Sequence, residues 1–399
     1  MKPSGTNLPP TIPADREGRY SFLHRVFIIT GALGRLSPIA LLPAWAALIA
    51  IACWPWRASQ LFIVGLVALM WASDWGALAL LPRYGRSWGP VTPSLLALTA
   101  LRVLLSWLFA WTLGRWASPF LALAVFTCVM GLLSGVLIYA TWVEPFRIGI
   151  TQQTLRLERW TAAPLRILHI SDLHFEGDSP REKAVLAHVK ALRPDLILLT
   201  GDYLNISSVY DATAQSGARA WLAQLSAPLG VYAVTGSAPV DVAGIVPEVF
   251  AGLPIHWLRD AASPVMWDGC TLWLMGVTCT VGSERDAAAL AKVHAEIPDG
   301  ASTILLYHTP DLMPQVVNLG IDLYLAGHTH GGQLCLPFYG ALFTSSQWGK
   351  KYEGGRIHEG HTTLYVSRGL GMEGLGAPRA RFLAPPELIL WELRSASDT

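Results

Sequence analysis

The sequence predicts a chain of two classes: a membrane-spanning helical region at the N-terminus, then an α/β domain. Three observations predict it. Of the 399 residues, 52% are hydrophobic and only 14% charged, where a soluble domain is nearer a quarter charged. The deficit is concentrated: between positions 36 and 142 the only charged side chains are Arg57, Asp74, Arg83, Arg86, Arg102 and Arg115. Beyond Arg147, short apolar runs alternate with amphipathic stretches at ordinary charge density.

Four apolar stretches, near 36–54, 61–81, 95–113 and 119–142, are long enough to cross about 30 Å of hydrocarbon at about 1.5 Å per residue. Breaks containing proline or arginine separate them. Trp54, Trp56, Trp88, Trp116 and Trp142 lie near the ends, as interfacial anchors do. A cleavable signal peptide is excluded, because three further stretches follow the first. Lys2, Arg16, Arg19, Arg25 and Arg35 precede the first span, Arg83 and Arg86 follow the second, and Arg147, Arg156 and Arg159 follow the fourth. The opposite loops hold Arg57 and Arg115. The positive-inside rule then puts both chain ends in the cytoplasm. Asp74 and Arg102 fall at similar depths in adjacent antiparallel spans, so a contact between them is expected.

In the second half, 165–170, 196–200, 231–235, 272–277, 303–307 and 323–326 read as strands. They are continuously apolar, as strands covered on both faces are. Residues 181–192 and 212–225 read as helices. The expected organisation is a tail over 1–35, spans over 36–142, a linker over 143–164 and the domain over 165–394.

In an α/β sheet, ligands collect at the C-terminal strand ends. Asp172-Leu173-His174 follows the first strand and Gly201-Asp202 the second. His308 closes a later strand, and Gly327-His328-Thr329-His330-Gly331-Gly332-Gln333 follows another. Carboxylates and imidazoles are ligands for Mn²⁺, Fe or Zn²⁺. A lone Asp after a strand is usually a helix cap, but six such groups at successive strand ends point to a metal centre. The formal net charge of +1 gives no argument for a nucleic-acid partner. Cys53, Cys128, Cys270, Cys279 and Cys335 are scattered without a CxxC pair, which excludes a disulfide framework and a zinc-finger spacing.

Asp-x-His, Gly-Asp, a later His and Gly-His-x-His together resemble the calcineurin-like metallophosphoesterase superfamily. GHTHGGQ, with the downstream Tyr365-Val366-Ser367-Arg368-Gly369-Leu370-Gly371 and Pro385-Pro386-Glu387, resembles its membrane-anchored bacterial branch. The resemblance implies a two-sheet α/β sandwich and two divalent metal ions sharing a bridging Asp. Carried over by motif, Asp172, His174, Asp202 and His330 would hold the first. Asp202, His308 and His328 would hold the second with an Asn. The implied activity is hydrolysis of a phosphomonoester, phosphodiester or pyrophosphate, lipid-linked substrates included, by a metal-activated water at the inner, cytoplasmic membrane.

One motif departs from the pattern. Where Gly-Asn-His-Asp/Glu is expected, the chain has Gly236-Ser237-Ala238-Pro239, so Ser237 stands at the Asn ligand position and Ala238 at that of a leaving-group histidine. Asn205 stands where many relatives have Asp. No general acid is identified. The alternative is a degenerate relative that binds metal or phospholipid with little turnover. A transporter is disfavoured by the lack of paired half-helices or repeats. Arg368, Arg379 and Arg381 are weighed equally as phosphate partners and as surface charges.

Overall fold

The computed structural model describes residues 22–280 and 283–397; the basic positions Lys2, Arg16 and Arg19 lie outside them. The chain divides into two compact units. Among the described residues, 144–372 and 381–397 fall in one, and 22–143 and 373–380 in the other.

Among the described residues the helical unit carries four helices long and apolar enough to cross a membrane: Pro38–Trp56, Gln60–Tyr84, Val91–Trp116 and Pro119–Phe146. Each agrees with an expected span to within a few residues. Phe22–Leu33, expected as part of the tail, is also helical. Apolar side chains such as Leu61 and Phe120 cover the outside of the bundle, while polar groups turn inward. The Trp56 indole donates to Ser106 Oγ (2.8 Å), tying the first span to the third. Arg102 forms a buried ion pair with Asp74, and its other terminal nitrogen donates to Ser134 Oγ of the fourth span (2.7 Å). The expected pair is therefore present and extends to a third helix. A charge at such depth costs about 2.5–3.5 kcal/mol on insertion scales unless it is paired.

Among the described residues the other unit is built on fourteen strands. They are β1 (Gly149–Leu157), β2 (Leu165–Ile170), β3 (Leu196–Leu199), β4 (Val231–Ala233), β5 (Ile255–Trp257), β6 (Ala261–Trp267), β7 (Cys270–Gly276), β8 (Ser302–Leu306), β9 (Leu323–Ala326), β10 (Cys335–Leu336), β11 (Gly340–Ala341), β12 (Gly355–Glu359), β13 (Thr362–Val366) and β14 (Glu387–Ser395). Two six-stranded sheets form, ordered β1-β14-β2-β3-β4-β5 and β12-β13-β9-β8-β7-β6; β10 and β11 make a separate hairpin.

Alternation along the strands explains the layers. Ile167, Leu198, Leu274, Ile304 and Leu325 point into the space between the sheets. Leu168, Ile170, Ile197 and Leu199 point the other way, onto the helices Pro180–Leu192 and Ala212–Leu222. Met275, Leu305 and Tyr324 do the same on the far sheet, under Leu290, Val293 and Val316. Both faces of both sheets are covered, which is why the strands read as unbroken apolar runs.

The expected linker over 143–164 needs correction. Nine of its residues form β1, paired in parallel with β14 from Gly149↔Glu387 to Leu157↔Ser395. This strand is half-buried and polar, so it lacks the apolar signature of its neighbours.

Asp74→Asn and Arg102→Gln should each destabilise the chain. Their effects should be non-additive by about 0.5–3 kcal/mol, the range for contacting residues. Thermal unfolding of the four members of the cycle in detergent measures this; strict additivity would mean that the pair contributes nothing.

Candidate metal centre

Four loops bring the sequence-predicted residues together, each from the C-terminal end of a strand. Asp172 and His174 follow β2, Asp202 follows β3, His308 follows β8, and His328 and His330 follow β9. They form two clusters. Ligand-type atoms of Asp172, His174 and His330 lie within 4.8 Å of one another, and so do those of Asp202, His308 and His328. The clusters meet at Asp202, whose Oδ2 is 3.5 Å from His174 Nε2 and 3.2 Å from His308 Nε2. Ser237 faces the second cluster: its Oγ is 3.2 Å from Asp202 Oδ2, 3.2 Å from His308 Nε2 and 3.4 Å from His328 Nδ1.

The backbone around these groups is constrained. Asp172, His174, Asp202, His328 and His330 all have positive φ, between 43° and 70°. Left-handed backbone costs an L-residue about 1–2 kcal/mol, so the surrounding structure must enforce it. Close approach of neighbouring loops is part of that enforcement. A Cβ at Gly327 would lie 2.1 Å from Asp172 Oδ2, and one at Gly236 would lie 2.1 Å from Asp202 Oδ1. The loops are cross-tied by hydrogen bonds: Asp172 N–H to Gly201 O (3.0 Å), His174 N–H to Asp202 O (2.9 Å), His328 N–H to Asp172 Oδ1 (2.9 Å) and Ser237 N–H to Asp202 Oδ1 (2.7 Å).

The electrostatics suit a cation. Burial lowers His174 to about 4 and His328 to about 3, and pushes His330 well below its ordinary value, so these imidazoles are neutral and offer lone pairs. Burial also pushes Asp172 up to about 6. His308 differs. Burial works against its charge, but the Asp202 carboxylate outweighs it and raises His308 to about 10. Burial opposes the charge of Asp202 too, yet His308, His174 and His328 hold it well below the usual carboxylate range. A positive charge beside Asp202 is therefore favoured. His308 Nδ1–H donates to Thr200 O (2.7 Å), which turns Nε2 toward the cluster. His174 Nδ1 is buried without a partner, and His174 Nε2 faces His330 Nε2 at 3.1 Å. Two carboxylates and four imidazoles in this arrangement fit a donor set for divalent transition metals.

Several residues outside the two clusters matter here. The buried Asp241 carboxylate accepts three backbone N–H bonds, from Asp202 (2.8 Å), Tyr203 (3.0 Å) and Gly236 (2.6 Å). It joins the loop after β3 to the loop after β4. Its one sequence signal is that it is the only carboxylate in the 236–245 loop. Glu387 is fully buried and bonds Thr151, Tyr365, and both the backbone and guanidinium of Arg368. Arg381 is fully buried against the carbonyls of Arg368, Gly369, Gly371 and Ala384, with Nη2 3.3 Å from His330 Nδ1. Arg379 is buried too, and donates to Leu375 O and Ala377 O. Of the three arginines, Arg368 alone keeps substantial exposure. Asn205 holds a turn, donating to Met372 O and accepting from Ser207 N–H.

Asp241→Ala orphans three buried N–H groups. It should lower stability by about 3 kcal/mol, roughly 1 per lost acceptor. Denaturant unfolding of the full chain in detergent measures the loss; a change below about 1 kcal/mol would show that the carboxylate does not tie these loops together.

Comparison with known proteins bears on this arrangement. The profile of the calcineurin-like phosphoesterase family matches residues 165–237. A Bacillus subtilis protein named uncharacterized metallophosphoesterase YkuE is 31% identical over 276 residues, spanning 65% of this chain and 90% of that protein. The phosphodiesterase YaeI of Escherichia coli is 27% identical, over 64% of this chain and 92% of its own. The UDP-2,3-diacylglucosamine pyrophosphatase LpxG of Chlamydia muridarum is 25% identical, over 63% and 91%. The match to YkuE runs through nearly all of that protein, and the profile covers the first two of the clustered loops, so the chain belongs to the calcineurin-like metallophosphoesterase family.

Proposed function

We propose that this protein is a membrane-anchored, metal-dependent phosphoesterase. The observation that carries the reading is the meeting of two ligand clusters at one carboxylate, Asp202. Asp172, His174, Asp202 and His330 would hold a first divalent ion; Asp202, His308, His328 and Ser237 would hold a second. Mn, Fe and Zn all suit this donor set. Such ions supply charge stabilisation to a phosphoryl group and lower the pKa of a water nucleophile. The chain's own residues contribute orientation: Thr200 fixes the His308 ring, Asp241 fixes the Asp202 backbone, and Glu387 anchors the loop bearing Arg368.

Phosphodiesters and pyrophosphates are the favoured substrates, since two relatives carry those activities in their names. A lipid-linked phosphoester is the proposed class. The support is the four membrane-length helices in the same chain and a relative named for a diacylated sugar nucleotide. The distribution of Lys and Arg supports insertion in the inner membrane with the phosphoesterase domain in the cytoplasm.

Ser237 bears on how well the second site works. A serine hydroxyl is neutral and shorter than an Asn side chain, so it is a weaker ligand. Ala238 is exposed beside it and has no proton to transfer. This favours leaving groups that depart without a proton from the protein. It is also the observation behind the alternative, a metal- or phospholipid-binding relative with little turnover.

The deciding experiment is metal content per chain, with turnover of aryl phosphodiesters and monoesters in added Mn²⁺. Asp202→Asn should remove both ions and abolish turnover. Ser237→Asn should raise occupancy toward two ions per chain, and Ala238→His should raise turnover, by up to about 10²-fold if general acid catalysis is restored. Full metal loading with no turnover by any of these proteins would favour the binding role. A reporter fused after Thr399 should be active in the cytoplasm; activity on the far side would reverse the orientation.

A further inference from the structure

Between the metal centre and β12 the chain makes an excursion that the proposed chemistry does not use. Residues 334–349 contain no charged side chain, and they include Phe338, Tyr339, Phe343 and Trp348. A soluble surface of that length would carry several charges. The excursion opens with the β10–β11 hairpin, whose tip is Pro337-Phe338-Tyr339. Phe338 has φ 64° and is fully exposed, so a strained backbone holds an aromatic ring out into solvent. Leu383, on a neighbouring loop bridged to the hairpin through Leu334 and Phe382, repeats the pattern: φ 57° and 50% exposed. Leu336, Tyr339, Leu342 and Phe343 (60%) are exposed as well.

Phe338, Leu336 and Leu383 rim a cavity of about 350 Å³, whose other walls include Gly331 and Arg368. Gly331 adjoins His330, so the apolar rim lies beside the metal centre. Lysines edge the aromatics: Lys350 Nζ lies 3.8 Å from the Tyr339 ring centre, and Lys351 Nζ lies 5.7 Å from that of Trp348. Exposed apolar groups clustered this way mark an interaction surface. Aromatic rings bordered by lysines are the composition of membrane–water interfaces.

We propose that the 336–348 excursion and Leu383 dip into the surface of the lipid bilayer. The occupant is argued from the chain itself: four membrane-length helices are followed at Gly149 by the first strand of the domain that bears this patch. The patch is convex at Phe338, which suits insertion into a fluid interface. Apolar side chains of such elements enter the headgroup–acyl boundary by about 5–10 Å. The cavity beside His330 then opens toward the layer where the phosphate of a lipid lies. The inference rests on the membrane placement proposed above and deepens its choice of a lipid-linked substrate.

The test uses the full chain, reconstituted in bilayer nanodiscs, with Cys128, Cys270 and Cys335 replaced by alanine. Bimane is attached to Phe338→Cys, to Leu383→Cys and, as a control, to Asp299→Cys. Asp299 precedes β8, at the opposite end of that strand from His308. Doxyl-labelled lipid should quench the probe at positions 338 and 383, with a blue-shifted emission, and leave the probe at 299 unchanged. Retention in the bilayer after alkaline carbonate with aqueous probes at both 338 and 383 would overturn the patch alone. Release by carbonate would overturn the membrane reading and this inference with it.

Discussion

Two carboxylates, Asp172 and Asp202, are buried side by side, and the rest of the phosphoesterase domain is arranged around the cost of keeping them there. Buried charges need compensation. Here it comes from imidazoles on two other loops and from backbone N–H groups of His328 and Ser237. Loops from both sheets must therefore converge at one end of the sandwich. That convergence requires glycine at positions 236 and 327, where any side chain would strike a carboxylate, and left-handed backbone at five of the six clustered residues. The strain is supported by a large core: layers of Leu, Ile and Val on both faces of both sheets.

The features legible in the sequence share one property, that their signal is local. Six strands announced themselves as apolar runs, and the metal-type residues stand immediately after them in short motifs. Ser237 was placed by the family motif that the resemblance implies after β4, and it does face the second cluster. The features that were not legible depend on partners distant in sequence. β1 mixes Thr, Gln and Arg with Ile and Leu as a half-buried edge strand, and its partner β14 is more than 200 residues away. Asp241 is the one carboxylate in its loop, but its role depends on where the loops after β3 and β4 meet. Arg379 and Arg381 read equally as phosphate partners and as surface charges in the sequence; their burial among carbonyls depends on packing that the sequence does not display.

The helical unit shows the same contrast from another side. A helix is rigid enough that depth follows from counting residues, so Asp74 and Arg102 could be matched across two spans. The third partner, Ser134, could not be found that way, because rotation of the fourth helix about its axis is set by packing. The pair and the serine together leave little unsatisfied charge in the interior of the bundle, although Asp74 Oδ1 and Arg102 Nε keep no partner.

The loop from Gly236 to Asp241 separates two duties that the family's motif combines. One is structural. Ser237 N–H still donates to Asp202 Oδ1, and Asp241 still binds the N–H groups of Asp202, Tyr203 and Gly236. Neither task uses the side chains at 237 and 238. The other is chemical, and it does use them: a ligand of adequate strength and a proton donor. Ser-Ala in place of Asn-His therefore leaves the hydrogen-bond frame of the centre in place, and on the proposed reading alters only what it offers to a ligand and a leaving group. The intact frame explains how all six clustered residues keep their geometry beside an altered motif. On the proposed reading, what the centre can do turns on two exchangeable side chains, and not on the fold that holds them.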